Sequence, residues 1–234
     1  MTAGGPILLM DTATTRAVIA LGDADGSLVE QRGWTAGYRH GEELLSRIDG
    51  LLAERGVPLA DLGAIAVGTG PGAFTGLRVG IATAKGLAHA LSLPIVGVAT
   101  GSALLDAAAA AAPGAGGLVL LQPAGPNDRV VVRHGEAARI LPGGTEPEVA
   151  AGERLVAVDL AGRAPGDAVA LGDAAVVGLA AAMLATAGRR LAAGDADDLA
   201  TLVPEYVTLP RGVRMPLPDA GVEVTGAGPR ATKP

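Results

Sequence analysis

The stretch Val67-Gly-Thr-Gly-Pro-Gly-Ala-Phe-Thr-Gly-Leu-Arg-Val-Gly80 decides how this chain is read. An apolar run from Ala64 to Val67 feeds a glycine-proline turn, and the turn feeds a helix of small residues continuing through Ile81-Ala-Thr-Ala-Lys-Gly-Leu-Ala88. Strand, tight turn and helix is also the way a phosphate cradle is built. Gly68-Thr-Gly-Pro-Gly-Ala73 satisfies a loose G-x-G-x-x-(G/A) pattern. A dinucleotide site, however, wants an acid about 20 residues further on, at the end of the next strand. That strand is Pro94-Ile-Val-Gly-Val98, and Ala99-Thr-Gly-Ser102 after it supplies none. A P-loop fails as well, because Gly76 is followed by Leu77-Arg78 rather than Lys-Ser/Thr. Gly70, Pro71, Gly72 and Phe74 therefore read as a structural turn, whose glycines let backbone approach backbone.

The helix behind the turn, expected from about Thr75 to Leu91, is more informative. A glycine inside a helix costs about 1 kcal/mol against alanine. Gly76, Gly80, Thr83 and Ala84 nevertheless fall near one face. Such a face suits close packing inside the chain, a helix-on-helix contact with another subunit, or one face for each.

Upstream, Ile7–Met10, Arg16–Leu21 and Ser27–Trp34 read as strands of a meander, with Gly22-Asp-Ala-Asp-Gly26 as turn chemistry. A helix is expected from about Gly41 to Arg55, where Leu44, Leu45, Ile48, Leu51 and Leu52 form one stripe at helical period. The order βββαβαβ predicts an α/β unit with a mixed sheet. Downstream, a helix is expected over Ser102–Ala112 and a Pro/Gly-rich break over Pro113–Gly117. Strands are expected at Leu118–Leu121, Arg129–Arg133 and Leu155–Val158, then an alanine-rich helix over Asp173–Ala193 and a small element near Leu202–Leu209. Domains are accordingly placed at 1–105 and 106–210, with 211–234 as a flexible tail.

The 234 residues carry a net charge of −6. That is a poor basis for binding nucleic acid alone, which needs a basic surface. One Phe, one Trp and two Tyr leave little for a base-stacking platform. There is no cysteine, and His40, His89 and His134 are far apart without acidic partners at ligand spacing. Asp11 with Thr12, Thr14 and Thr15 would suit a phosphate or metal, but an Asp ending a strand is more often a turn former. No catalytic constellation emerges. Met1-Thr-Ala-Gly-Gly-Pro6 lacks the features of a signal peptide, and the uncharged stretch Ala107–Asn127 is broken by Pro113 and Pro123. A cytoplasmic protein with no membrane partner is expected.

Gly70-Pro-Gly-Ala-Phe-Thr-Gly-Leu-Arg-Val-Gly80, Ala84-Lys-Gly-Leu-Ala88 and Pro94-Ile-Val-Gly-Val98 closely resemble the TsaB (YeaZ) family. Leu9-Met-Asp-Thr-Ala-Thr14 and His40-Gly-Glu-Glu-Leu-Leu45 match in the same order, so the resemblance spans about residues 7–105. It implies an actin/hexokinase-like (ASKHA) fold of two related α/β domains with mixed sheets. It also implies the dimerisation subunit of the machinery that makes threonylcarbamoyladenosine in tRNA. A TsaD-like catalytic subunit and a TsaE-like ATPase would be its partners, with tRNA met only through the complex. The family's partner contact maps onto the helices Gly41–Arg55 and Thr75–Leu91, which makes Leu44, Leu45, Ile48, Leu52, Gly76, Arg78, Gly80, Thr83 and Leu87 the expected interface.

The same resemblance accounts for the missing chemistry. Where the catalytic paralogue carries two metal-binding histidines, this chain has Thr100 and Leu104. Where the fold's first phosphate loop usually has a glycine, it has Ala13. No catalytic residue, cofactor or metal is therefore expected. The chain departs from the family pattern at Gln122-Pro-Ala-Gly-Pro-Asn-Asp-Arg-Val130 and at Pro204-Glu-Tyr206-Val-Thr208. A stand-alone ATP-dependent kinase or carbamoyltransferase of the same fold is the competing reading, and a homodimer formed through the same helices is a third.

Overall fold

The computed structural model describes residues 4–35 and 40–207, with side chains of the second segment from Glu43 onward. The tail expected at 211–234 lies outside the described residues.

β1 (Ile7–Asp11) is the centre of the first sheet and is buried along its whole length. Strand alternation sends Ile7 and Leu9 to one apolar cluster and Leu8 and Met10 to another. A strand buried on both faces must read as a continuous apolar run, and Ile7-Leu-Leu-Met10 does. β2 (Arg16–Gly22) pairs antiparallel with β1, and β3 (Leu28–Thr35) pairs antiparallel with β2. β4 (Ala64–Gly70) and β5 (Ile95–Ala99) add on the other side in parallel, giving the order β3-β2-β1-β4-β5.

The second sheet repeats this plan. β6 (Gly117–Pro123), β7 (Arg129–Val132) and β8 (Arg139–Leu141) form an antiparallel meander. β9 (Glu153–Ala157) then joins β6 in parallel, in the order β8-β7-β6-β9. Position for position this is β3-β2-β1-β4 again. Two α/β units with the same mixed-sheet topology are what the actin/hexokinase-like fold requires, and that is the fold of this chain.

The helices make the layers. α1 (His40–Arg55) and α2 (Phe74–Leu91) cover one face of the first sheet, burying Leu44, Ile48, Leu51, Ile81 and Ala84 against Leu8, Ile19 and Ile65. α3 (Thr100–Ala111) and α4 (Gly166–Ala192) pack along each other between the sheets. Leu104 and Leu179 there meet Leu9 and Val18 of the first sheet and Leu120 and Val156 of the second. Position 105 thus lies inside α3, and α4 joins one continuous core shared by both sheets. α4 begins at Gly166, seven residues before the expected Asp173, because Gly172 is an interior contact and not a boundary. A Cβ at Gly172 would stand 2.0 Å from the carbonyl oxygen of Ala157.

α4 is also long and apolar enough to cross a bilayer, with a mean hydropathy of 2.0 over its richest window. Its Ala168, Ala175, Leu179, Met183 and Leu184 are buried, which is the pattern of a core helix. β8 was not expected from the sequence; three largely exposed residues carry too little periodicity to announce an edge strand. The small element expected near Leu202–Leu209 is irregular through Val207, and the remainder lies outside the described residues.

Candidate functional site

The glycine stretch meets the β1–β2 loop, and the two are stitched together. Gly70 bends the chain at φ 106°, and the Gly70–Pro71 peptide is cis. Ala73 N–H donates to the Ala13 carbonyl at 2.7 Å, and the Thr12 hydroxyl donates to the Gly76 carbonyl at 2.7 Å. A Cβ at Gly72 would lie 2.3 Å from the Ala13 oxygen, and one at Gly80 would lie 2.3 Å from Thr12 Oγ1. These contacts explain the glycines. They let the turn and α2 close on their own chain.

Asp11 lies beneath this seal and is fully buried. Its Oδ1 accepts from Ala13 N–H at 3.0 Å, and its Oδ2 accepts from the Thr100 hydroxyl at 2.6 Å. Thr100 Oγ1 in turn accepts from Gly70 N–H at 3.1 Å. Burial pushes the Asp11 carboxyl above its ordinary value, and the hydrogen bonds from Thr100 and Ala13 pull it partly back. The carboxylate orders a turn, as its sequence context suggested. Thr100 and Leu104, which the family resemblance matches to metal-binding histidines, can be located directly. Both are buried, Thr100 bound to Asp11 and Leu104 in the core. Neither a hydroxyl committed to a carboxylate nor an alkyl side chain offers a ligand for zinc or iron.

A cleft of about 670 Å³ opens beside the seal, between the two sheets. Ala13, Phe74, Gln122, Asn127, Asp128 and Asp159 line it. Thr15 closes one side, donating its N–H to Asp159 Oδ2 at 2.8 Å and its hydroxyl to Asp159 Oδ1 at 2.5 Å. No lysine, arginine or histidine is among the lining residues, so the cleft has no cation with which to neutralise a polyphosphate. His89 is exposed, and His134 stands 3.4 Å from Asp106 at the surface. The side chain of His40 lies outside the described residues.

The residues expected at a partner interface divide sharply. Leu44, Ile48 and Leu52 are 0%, 2% and 3% exposed and belong to the core under α1. Gly76 and Gly80 are buried against Thr12. These five serve internal packing, and the small-residue face of α2 is filled by the β1–β2 loop rather than by another helix. Leu45, 55% exposed, and the exposed Arg78 lie outside the core. Thr83 and Leu87 are half-buried, Leu87 partly against the α1 core.

A strap, residues 195–207, which the sequence announced only as a small element near Leu202–Leu209, packs against α2. Leu202 fills the space above Gly97, and Lys85 Nζ donates to the Leu202 carbonyl at 3.0 Å. Glu205 N–H donates to the Thr69 carbonyl at 2.7 Å. Arg78 lies 3.8 Å from the centre of the Phe74 ring, and its Nε donates to the Tyr206 hydroxyl at 3.0 Å. Its local signals, the element near Leu202–Leu209 and Pro204-Glu-Tyr206, are too short to place in space.

A family model described as "TsaD: tRNA N6-adenosine threonylcarbamoyltransferase" matches residues 35–210, most of the chain. The chain belongs to that family, on its TsaB (YeaZ) branch. It is 40% identical over 94 residues to the tRNA threonylcarbamoyladenosine biosynthesis protein TsaB of Escherichia coli, a match covering 40% of each chain. It is 43% identical over 63 residues to the tRNA N6-adenosine threonylcarbamoyltransferase of Sphingopyxis alaskensis, covering 27% of this chain and 18% of that one. The chain thus spans well under half the length of these two relatives. Among solved structures, YeaZ from Pseudomonas aeruginosa superposes with a TM-score of 0.66 at 26% identity, covering 86% of this chain and 99% of that one. The TsaB likeness is densest in sequence yet extends in fold over both sheets.

Proposed function

We propose that this chain is a non-catalytic subunit in the synthesis of threonylcarbamoyladenosine in tRNA, acting by docking a TsaD-like catalytic subunit. Family membership supports the pathway. The observation that supports the subunit role is the sealed loop, in which the buried Asp11 and Thr100 are committed to each other. The docking surface is the outer face of α1 and α2, with Leu45, Thr83 and Leu87 as its candidates and the unit 1–105 as its carrier; Arg78, held by Tyr206 on the strap side of α2, is not among them. A TsaE-like ATPase acts on the assembled pair, tRNA is met through the complex, and the setting is the cytoplasm. A specific interface of standard size buries about 1,600 Å² in total, which two helices per subunit can supply.

Leu45→Asp tests the surface, since Leu45 is exposed and its replacement spares the core. The variant should keep the melting temperature of the native chain and lose co-elution with the TsaD-like subunit on size exclusion. Retained co-elution would falsify the α1–α2 surface. Omitting each component from a tRNA modification assay tests the role itself. Turnover by this chain alone with ATP would favour the kinase or carbamoyltransferase reading instead.

A further inference from the structure

Five arginines of this chain, Arg16, Arg32, Arg47, Arg133 and Arg190, each hold a carboxylate oxygen within 3.3 Å. Arg129 and Arg163 do not. Arg129 opens β7 with its side chain only 10% exposed, and its close contact is the Thr145 carbonyl, which accepts from Nη2. The nearest carboxylate, Glu146, stands 3.7 Å away on a side chain 82% exposed. Arg163 donates to the carbonyls of Pro126 at 3.1 Å and Asp159 at 3.5 Å. No carboxylate among the described residues lies within ion-pair distance of it.

Both arginines line one groove of about 460 Å³ with Asn127, Gly143, Gly144 and Glu146. A nearly buried cation held by neutral carbonyls keeps its full charge, and a guanidinium carries five N–H donors and no acceptor. The other acids nearby are already engaged. Asp128 Oδ1 accepts from Gly143 N–H at 3.0 Å, and the carboxylate of Asp159 is taken by Thr15. Two arginines lining one groove suit an oxyanion, which can accept from the N–H donors their carbonyl partners leave free.

We propose that the groove between the β7–β8 region and the loop after β9 is a phosphate-binding site, with Arg129 and Arg163 as its ligands. It is separate from the α1–α2 surface and does not depend on the proposed function. Glu146 is the competing internal anion and swings outward when the site fills. The phosphate is either free, as in inorganic phosphate or a phosphomonoester, or a diester in an RNA backbone.

Calorimetry on the full chain distinguishes the two, with inorganic phosphate in one arm and an unmodified tRNA transcript in the other. Arg163→Ala should weaken binding about tenfold or more, the usual consequence of losing a charge-assisted hydrogen-bond donor. Glu146→Gln should tighten it severalfold, and Arg154→Ala, an exposed arginine outside the groove, should leave it unchanged. Saturable phosphate binding with that pattern assigns the free anion. The pattern in the transcript arm alone assigns the diester. Absence of binding in both arms up to tens of millimolar phosphate, or binding indifferent to Arg163 and Glu146, overturns the site. Both variants alter surface side chains, so the test does not depend on the folding of an Arg129 replacement.

Discussion

Asp11 ends β1 in the interior, and its environment sets a pH dependence that can be worked out. Burial raises the carboxyl above its ordinary value of 3.8, so the folded chain binds this proton more tightly than the unfolded chain does. The stability associated with the neutral form is present in full below pH 3.8 and is lost as pH rises through the raised value. Asp11→Asn removes that loss while keeping an oxygen for Ala13 N–H. The variant should therefore gain on the native chain as the pH goes from 3 to 7, read as urea midpoints across the series. A difference that does not change with pH would contradict the assignment. Gly80 belongs to the same scale. Any side chain there meets Thr12, so Gly80→Leu would lift α2 off its own sheet and could not report on a partner.

At the level of elements, the strap 195–207 and the helix it grips depend on each other. Arg190 at the end of α4 pairs with Asp195 and Asp197, and Asp197 accepts from Gly97 N–H at 2.7 Å. These contacts lock the strap against β5 through the backbone, while Leu202 supplies the apolar anchor. Leu202→Ala should cost about 2–3 kcal/mol, since the side chain is nearly buried and the space above Gly97 cannot collapse. Hydrogen exchange should show the added opening in residues 195–207 and at Gly97, with α4 protected as before. Exchange that rises uniformly over the molecule would mean that the strap is not a separate unit.

For the whole molecule, the two sheets share the α3–α4 layer, and polar clasps join their rims. Thr15 to Asp159 and Arg16 to Asp173 connect the β1–β2 region to the second half of the chain. The clasps are exposed, and such contacts contribute about 1 kcal/mol or less. Asp159→Ala should therefore lower stability only slightly and raise exchange at the Thr15 amide, with co-elution by way of α1–α2 unaffected. A loss of several kcal/mol would show that the clasp, rather than the shared helical layer, holds the halves together.

Much of this architecture was legible in the chain because the relevant forces are local. Continuous apolar runs marked β1, β4 and β5, helical stripes marked α1 and α2, and the glycine-rich turn, failing the tests for phosphate, pointed to a structural connection. The family resemblance rested on those same segments. Which way each stripe faces could not be read, because periodicity defines a face and not its partner. Leu44, Ile48, Leu52, Gly76 and Gly80 belong to the interface that the family resemblance implied, and the tertiary structure alone turns them inward. The contacts between Thr12 and Gly80, Asp11 and Thr100, Leu202 and Gly97, and the groove that Arg129 and Arg163 both line, bring together residues 34 to 105 positions apart. Such pairs carry no local signal, since burial and hydrogen bonding act on distance in space and not on separation along the chain.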